Sequence, residues 1–231
     1  MFWSMARTLN VTVHSVRREA FIEAAQRLIQ AKGYEQMSVQ DVLDALDASR
    51  GAFYHYFDSK QALLEAVVDR MVGAGMARVA PIVDDPRLPA LRKYEAVFAG
   101  IQQYKAEHKA LLLAILEVWI SDSNSIVREK FRRIGVGRLA PFLATIIRQG
   151  NDEGQFRIAS PDRMGRILVG LIQAFGDEST ELFIARQTGA VEIEEVEAAV
   201  AANTEAMERI LGIPAGSLTL IDRPTLHLWF G

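Results

Sequence analysis

The sequence predicts an all-α protein with a small three-helix amino-terminal unit and a larger helical domain behind it. Three observations predict it. Apolar residues recur at helical spacing with almost no strand-like alternation, two short segments near residues 38–57 each carry their own cap, and prolines fall between the apolar stripes at residues 86 and 89. The chain has 231 residues, is 50% hydrophobic, carries a formal net charge of −3 and contains no cysteine. That is enough apolar material for a small unit plus a larger one with its own core.

In the first helix Phe21, Ala24, Ala25, Leu28 and Ile29 share one face, and Gly33 and Tyr34 end it. Val39, Val42, Leu43 and Leu46 then recur at i, i+3, i+4 and i+7 behind Ser38, with Asp41 at capping-box spacing. Only Asp47 and Ala48 separate Leu46 from the next cap, Ser49. Two short helices joined so tightly form a helix-turn-helix.

The third helix sorts its residues by side. Phe53, Tyr56 and Phe57 can anchor it, whereas Arg50, Gly51, Tyr54 and His55 fall mostly on the other face. The planar donor fork of Arg50 suits guanine edges or phosphate, and Gly51 lets a partner approach the backbone. Tyr54 and His55 supply donors at phosphate reach. Ser49 and Arg50 are candidates for base edges, and Ala52 for a thymine methyl. The free amides behind Ser38 can face a phosphate, and Lys60, in the first turn of a fourth helix capped by Asp58 or Ser59, can reach another. Because the total charge is acidic, double-stranded DNA as a partner rests on where the cations sit: Arg7, Arg17, Arg18, Arg50 and Lys60.

Residues 16–64 resemble the amino-terminal domain of the TetR family of bacterial transcriptional regulators. The resemblance is carried by Ser49, Arg50 and Gly51 at the helix start, the aromatic run from Phe53 to Phe57, and Lys60 after it. Asp47 stands where that family often has glycine in the turn. Aspartate tolerates left-handed backbone better than most residues, so the turn is expected to survive with a negative charge added. The resemblance implies an amino-terminal extension over 1–15, a helix-turn-helix DNA-binding domain over 16–61, and a helical ligand-binding and dimerisation domain over 62–231. It further implies a ligand-responsive repressor that binds a near-palindromic operator as a homodimer, its half-sites ~34–36 Å apart.

Leu64, Val67, Val68 and Met71 extend the fourth helix, which in this family connects the reader to the second domain. Pro86 and Pro89 mark a break, and helices are expected near 90–107, 109–121, 125–150, 161–187 and 192–211. Ser160 before Pro161 reads as a cap with proline at the first helical position. Gly165, Gly170, Ala174 and Gly176 of one helix and Val196, Val200, Asn203, Met207 and Ile210 of the next are candidates for a dimer face. The resemblance implies a pocket for a largely apolar small molecule, with Tyr94, Phe98, Glu117, Trp119 and Gln173 as candidate contacts. Such an effector acts by preferring one of two forms of the protein. The tail from Gly212 reads as apolar without a helical period.

Other classes find little support. Gly135, Gly137 and Ala140 match a loose dinucleotide fingerprint, but a charged helical stretch precedes them, not a strand. His14, His55, His108 and His227 show no metal-ligand spacing, and no nucleophile elbow is present. No enzymatic activity, cofactor or metal is expected. The apolar runs 111–116 and 167–172 stop at Glu117 and Gln173, far short of the ~20 residues of a membrane span. The first residues lack a signal-peptide layout, so a cytoplasmic protein without a membrane partner is expected. The alternatives are a helical adaptor for protein partners, whose behaviour toward DNA would survive loss of Arg50 and Lys60, and a ligand-binding protein without operator-specific binding.

Overall fold

The computed structural model describes the backbone of residues 2–120 and 125–231 and the side chains of residues 14–116, 120 and 128–231. Among the described residues the regular structure is helical only, in the order α1 (Phe2–Lys32), α2 (Val39–Leu46), α3 (Arg50–Tyr56), α4 (Lys60–Asp84), α5 (Ala90–Glu107), α6 (Lys109–Ile120), α7 (Ser125–Asp152), α8 (Pro161–Gln187), α9 (Ile193–Leu211) and α10 (Arg223–Phe230). The chain divides into two compact units. One comprises Met1–Val72 with His108–Phe131, the other Gly73–Glu107 with Arg132–Gly231.

The first unit is organised around Phe21, which is fully buried. Its ring meets Phe53 at 5.8 Å and Phe57 at 6.2 Å edge-on, and Tyr56 at 5.8 Å tilted. Each such aromatic pair adds about 0.5–1.5 kcal/mol beyond simple area burial. Ile22, Ala25, Ile29, Met37, Val42, Leu43, Leu63, Leu64 and Val67 close the core, joined by Leu111 and Ile115 of α6. The anchoring stripes expected for the first three helices are thus in place.

The second unit packs α5, α7, α8 and α9 around Tyr94, Val97, Leu143, Ile146, Ile147, Phe156, Leu168, Met207 and Leu211. Two glycines allow close approach. A Cβ on Gly150 would lie 2.0 Å from the Phe156 ring, and one on Gly165 would lie 2.5 Å from the Ala140 carbonyl oxygen. Lys93 and Glu208 are buried with their charges satisfied. Lys93 Nζ donates to the Val83 carbonyl at 2.5 Å, and the Glu208 carboxylate accepts from the amides of Gly216 at 3.1 Å and Leu218 at 2.9 Å.

Several expectations are corrected. The residues set apart as an extension continue α1, which begins at Phe2. Ser160 makes no side-chain cap, although Pro161 does open α8. The tail forms α10, capped by Asp222, which accepts from the Thr225 amide at 2.8 Å; Leu226 is buried and Phe230 meets Phe183 edge-on. By contrast, Gly135, Gly137 and Ala140 lie inside α7, in the helical context expected of them. Gly165, Val196 and Met207 are buried in their own unit and do not offer a face to a second copy.

Candidate nucleic-acid interface

The turn of the helix-turn-helix closes locally. Ser38 Oγ accepts from the Asp41 amide at 3.1 Å, and Asp41 Oδ2 accepts from the Ser38 amide at 2.7 Å, a reciprocal capping box. Lys32 Nζ lies 2.7 Å from the same carboxylate. The Lys32 contact first, then the Ser38 amide and hydroxyl, hold Asp41 well below the usual carboxylate range. Asp47 adopts the left-handed conformation expected of it, φ 47 and ψ 49, and the Ala48 amide donates back to Leu43 at 2.9 Å. The αL backbone is tolerable because aspartate is among the few residues that visit it at modest cost.

Ser49 caps α3 by accepting from the Ala52 amide at 3.2 Å. From there α3 is held by Phe53 and Phe57, both buried, with Tyr56 half-buried beside them. The opposite face is presented outward. Arg50, Gly51 and His55 are exposed, and Tyr54 is 57% exposed with its ring edge-on to Phe53 at 5.3 Å. Arg50 makes no ion pair or side-chain hydrogen bond among the described residues. A Cβ on Gly51 would meet only Ser49 Oγ, at 3.9 Å, so its own unit does not require glycine there. Ala52 is half-buried against the core and shows less of itself outward than its neighbours.

Lys60 is less free than expected. Its Nζ donates to the Glu35 carbonyl at 3.2 Å and sits 4.2 Å from the centre of the Tyr34 ring, which ties the start of α4 to the turn after α1. Ser59 caps α4 through the Ala62 amide at 3.0 Å.

His14, dismissed as scattered in the sequence, is brought to α3. Its ring lies 5.2 Å from that of His55 and 4.6 Å from that of Tyr56. A signal was available, since His14 precedes Phe21 by two helical turns and so shares its face. Arg18 places its guanidinium 5.1 Å from the centre of the Phe57 ring.

Of the candidate effector residues, Tyr94 and Phe98 are in contact. Tyr94 is buried, stacks on Phe98 at 5.1 Å and donates its hydroxyl to Met207 Sδ at 3.4 Å; burial pushes its ionisation far up. Gln173 donates to the Arg132 carbonyl at 2.8 Å, and among the described residues no hydrogen bond or ring contact joins it to that pair. The side chains of Glu117 and Trp119, on α6, lie outside the described residues. A shallow groove of about 380 Å³ lies elsewhere, between α9 and the loop before α10, lined in part by Thr204, Glu208, Leu218 and Ile221.

A capped, aromatically anchored helix that turns an unpaired arginine outward from a helix-turn-helix defines a DNA-binding transcriptional regulator. The family model for bacterial regulatory proteins of the tetR family matches residues 21–67. The chain thus carries, over that segment, an amino-terminal domain of the TetR type. Over 153 residues, 66% of this chain and 76% of the other, it is 26% identical to the transcriptional repressor DhaR of Mycobacterium sp. strain GP1. Among solved structures it is similar in fold to RolR in complex with resorcinol, with a TM-score of 0.59 and 16% identity over 94% of this chain and 95% of that one. It is also similar to SmeT in complex with triclosan, with a TM-score of 0.56 and 20% identity over 90% and 98%. Proteins of this kind regulate transcription and are not enzymes. Among the described residues no helix is long and apolar enough to cross a membrane.

Proposed function

We propose that the chain is a ligand-responsive repressor that binds a near-palindromic operator as a homodimer. One observation carries the reading: Arg50 stands exposed and, among the described residues, unpaired in the first turn of a helix whose other face is locked by Phe53 and Phe57. A guanidinium so placed can form the bidentate guanine contact that is the commonest specific contact in the major groove. Ser49, Gly51 and Ala52 accompany it at the helix start, with Tyr54 and His55 reaching phosphates. Ser38 presents the free amides of α2 to a phosphate, its hydroxyl being committed to the cap. Lys60 uses one of three donors on Glu35, which leaves others for the DNA backbone.

The effector is a small, largely apolar molecule, a reading supported by the resorcinol and triclosan complexes of RolR and SmeT, whose fold the chain shares. It relieves repression by binding one of two forms more tightly, since equal affinity shifts nothing.

The test is selection of bound sequences from a random DNA pool by the purified protein at near-physiological salt, followed by affinity measurements on the enriched site. An inverted repeat is expected. Arg50→Ala costs about 1–3 kcal/mol and relaxes preference at one base step, whereas Lys60→Ala weakens binding to all sequences and flattens its salt dependence. Equal effects of both changes on specific and random DNA would overturn the assignment.

A further inference from the structure

The inward face of α5 ends in a cation that its own unit leaves unanswered. Tyr94, Phe98, Ile101 and Lys105 follow one another at intervals of four, three and four, so they form one stripe along the helix. Tyr94 belongs to the core of the second unit, and Phe98 and Ile101 pack against that core, so the stripe faces the interior. Along it the packing loosens: Tyr94 is fully buried, Phe98 and Ile101 are half-buried, and Lys105 is exposed. The end of α5 is nevertheless held in place. Arg78 of α4 donates to both carboxylate oxygens of Glu107, at 2.5 Å and 2.9 Å, and a Cβ on Gly75 would lie 3.4 Å from the Tyr104 ring.

Lys105 differs from the buried lysine of the same helix. Lys93 donates to the Val83 carbonyl at 2.5 Å, whereas among the described residues Lys105 makes no ion pair and no hydrogen bond. The nearby carboxylates of α5 are engaged elsewhere, Glu95 with Arg92 and the Thr219 amide, Glu107 with Arg78. Burial of the Lys105 ammonium among protein atoms, with no charged neighbour contributing, pulls it below the ordinary lysine range. A side chain that its surroundings desolvate and that water still reaches lines an opening sunk into the unit. An ammonium without a partner there weakens the fold, so stability does not explain it. Pockets for small molecules are built in this way, from apolar walls and a few polar groups that fix orientation.

We infer that the effector is an amphipathic acid, its apolar body lying along Phe98 and Ile101 and its single negative charge paired with Lys105. One ammonium balances one charge, so the site suits a monoanion better than a phosphate dianion. Phe98 and Lys105 stand seven residues apart, about 10 Å at 1.5 Å per residue, which sets the reach of the body. Shielded from bulk water, the pair is a charge-assisted one that salt screens only weakly. The inference rests on the effector reading above and names the class of molecule. It gives the stripe begun by Tyr94 and Phe98 the polar group that orients a ligand.

The test uses two dyes that share a body. Anilinonaphthalene sulfonate carries one negative charge, phenylnaphthylamine is the same ring system without it, and both brighten on leaving water. Each is titrated into the full chain and into Lys105→Met, which keeps an unbranched apolar stem. The sulfonate is expected to bind the variant more weakly by about tenfold or more, because a charge-assisted contact is lost, and the neutral dye to bind it at least as tightly as the unaltered protein. Denaturant unfolding supplies a second readout: without an unpaired, desolvated cation, Lys105→Met is at least as stable as the unaltered protein. A less stable variant would mean that the ammonium serves the fold, and the inference fails. An equal loss of sulfonate binding in Arg163→Met, which removes an exposed cation of α8, would reveal general attraction to positive charge and also overturn it. If both dyes bind and Lys105→Met changes them alike, the pocket stands but its occupant is not an acid held by Lys105. If neither dye binds the unaltered protein, the effector reading itself fails.

Discussion

The two units close their helix ends by different means. In the first, each cap lies within three residues of the amide it satisfies: Ser38 with Asp41, Ser49 with Ala52, Ser59 with Ala62. In the second, α10 is capped in the same local way by Asp222, but the start of α5 and the end of α10 are closed from far along the chain. The Ala90 and Leu91 amides at the start of α5 donate to Glu153 at 2.9 Å and Gln155 at 3.1 Å, more than sixty positions away, and the Leu88 carbonyl accepts from Gln149 at 2.9 Å. Arg186 likewise donates to the Phe230 carbonyl at 3.1 Å, at the end of α10. Local caps define elements before any tertiary structure exists, whereas distant ones require the fold they complete. The reader is therefore specified element by element, and the larger unit as a whole.

The largest expected effect probes what the local caps cannot do. Phe21 touches three aromatic rings of α3 and its exit, so Phe21→Ala should cost about 3–5 kcal/mol and abolish operator binding, as measured by denaturant unfolding and by DNA titration. If the variant still binds the operator with unchanged affinity, the caps alone hold the reader, and the contrast drawn between local and global specification is too weak.

Removing a buried acceptor of the second unit, which holds the loop after α9, comes next. Glu208→Ala leaves the Gly216 and Leu218 amides without their acceptor and should cost about 1–3 kcal/mol, lowering the denaturation midpoint. Glu208→Gln keeps one acceptor oxygen and should recover part of the loss. A cost for Glu208→Ala below that of Ser49→Ala would reverse the comparison, since that local cap is worth only ~1 kcal/mol.

The same distinction explains what was legible in the sequence. The helix-turn-helix could be read through to its left-handed Asp47, because stripe, cap and turn all act within a few residues. The ends of α5, α8 and α9 were also readable from Pro89, Pro161 and Gly212, which punctuate the backbone whatever surrounds them. Side-chain roles in the second unit were not. Gly165 looks like a surface glycine until Ala140 is placed against it, and nothing local announces that Gln173 donates to the Arg132 carbonyl. The ties of Lys60 to Glu35 and Tyr34 were not legible either, because nothing local announces them as its partners. The exception is α10, whose Asp222 cap and Pro224 were visible, but whose eight residues are too few for a convincing period.

The smallest effect is electrostatic and sharpens the comparison at its edge, because each unit holds a partly exposed carboxylate strongly stabilised as the anion. Asp41 is lowered first by Lys32 and then by Ser38, and Asp85 is held at about 2, first by the Arg87 side chain and then by the Arg87 amide. Both lie below the ordinary aspartate value near 3.9. A carboxyl depressed in the folded state contributes stability that is fully present above its unfolded value and is lost as pH falls through the folded one. The window therefore opens near pH 4, and Asp85 has given up its share by about pH 2, whereas Asp41 gives up its own only in still stronger acid. Both groups are partly exposed and their pairs are screened by salt, so the effects are small and shrink at high ionic strength. Denaturation midpoints taken from pH 5 to pH 2 should fall less steeply in Asp85→Asn than in the unaltered protein, and Asp41→Asn should show the same flattening displaced toward lower pH. An acid slope that neither substitution changes would place the loss in other carboxylates. A slope changed by Asp41→Asn alone would mean that the pairing of Asp85 with Arg87, only two residues apart, contributes nothing that the break between α4 and α5 does not already hold.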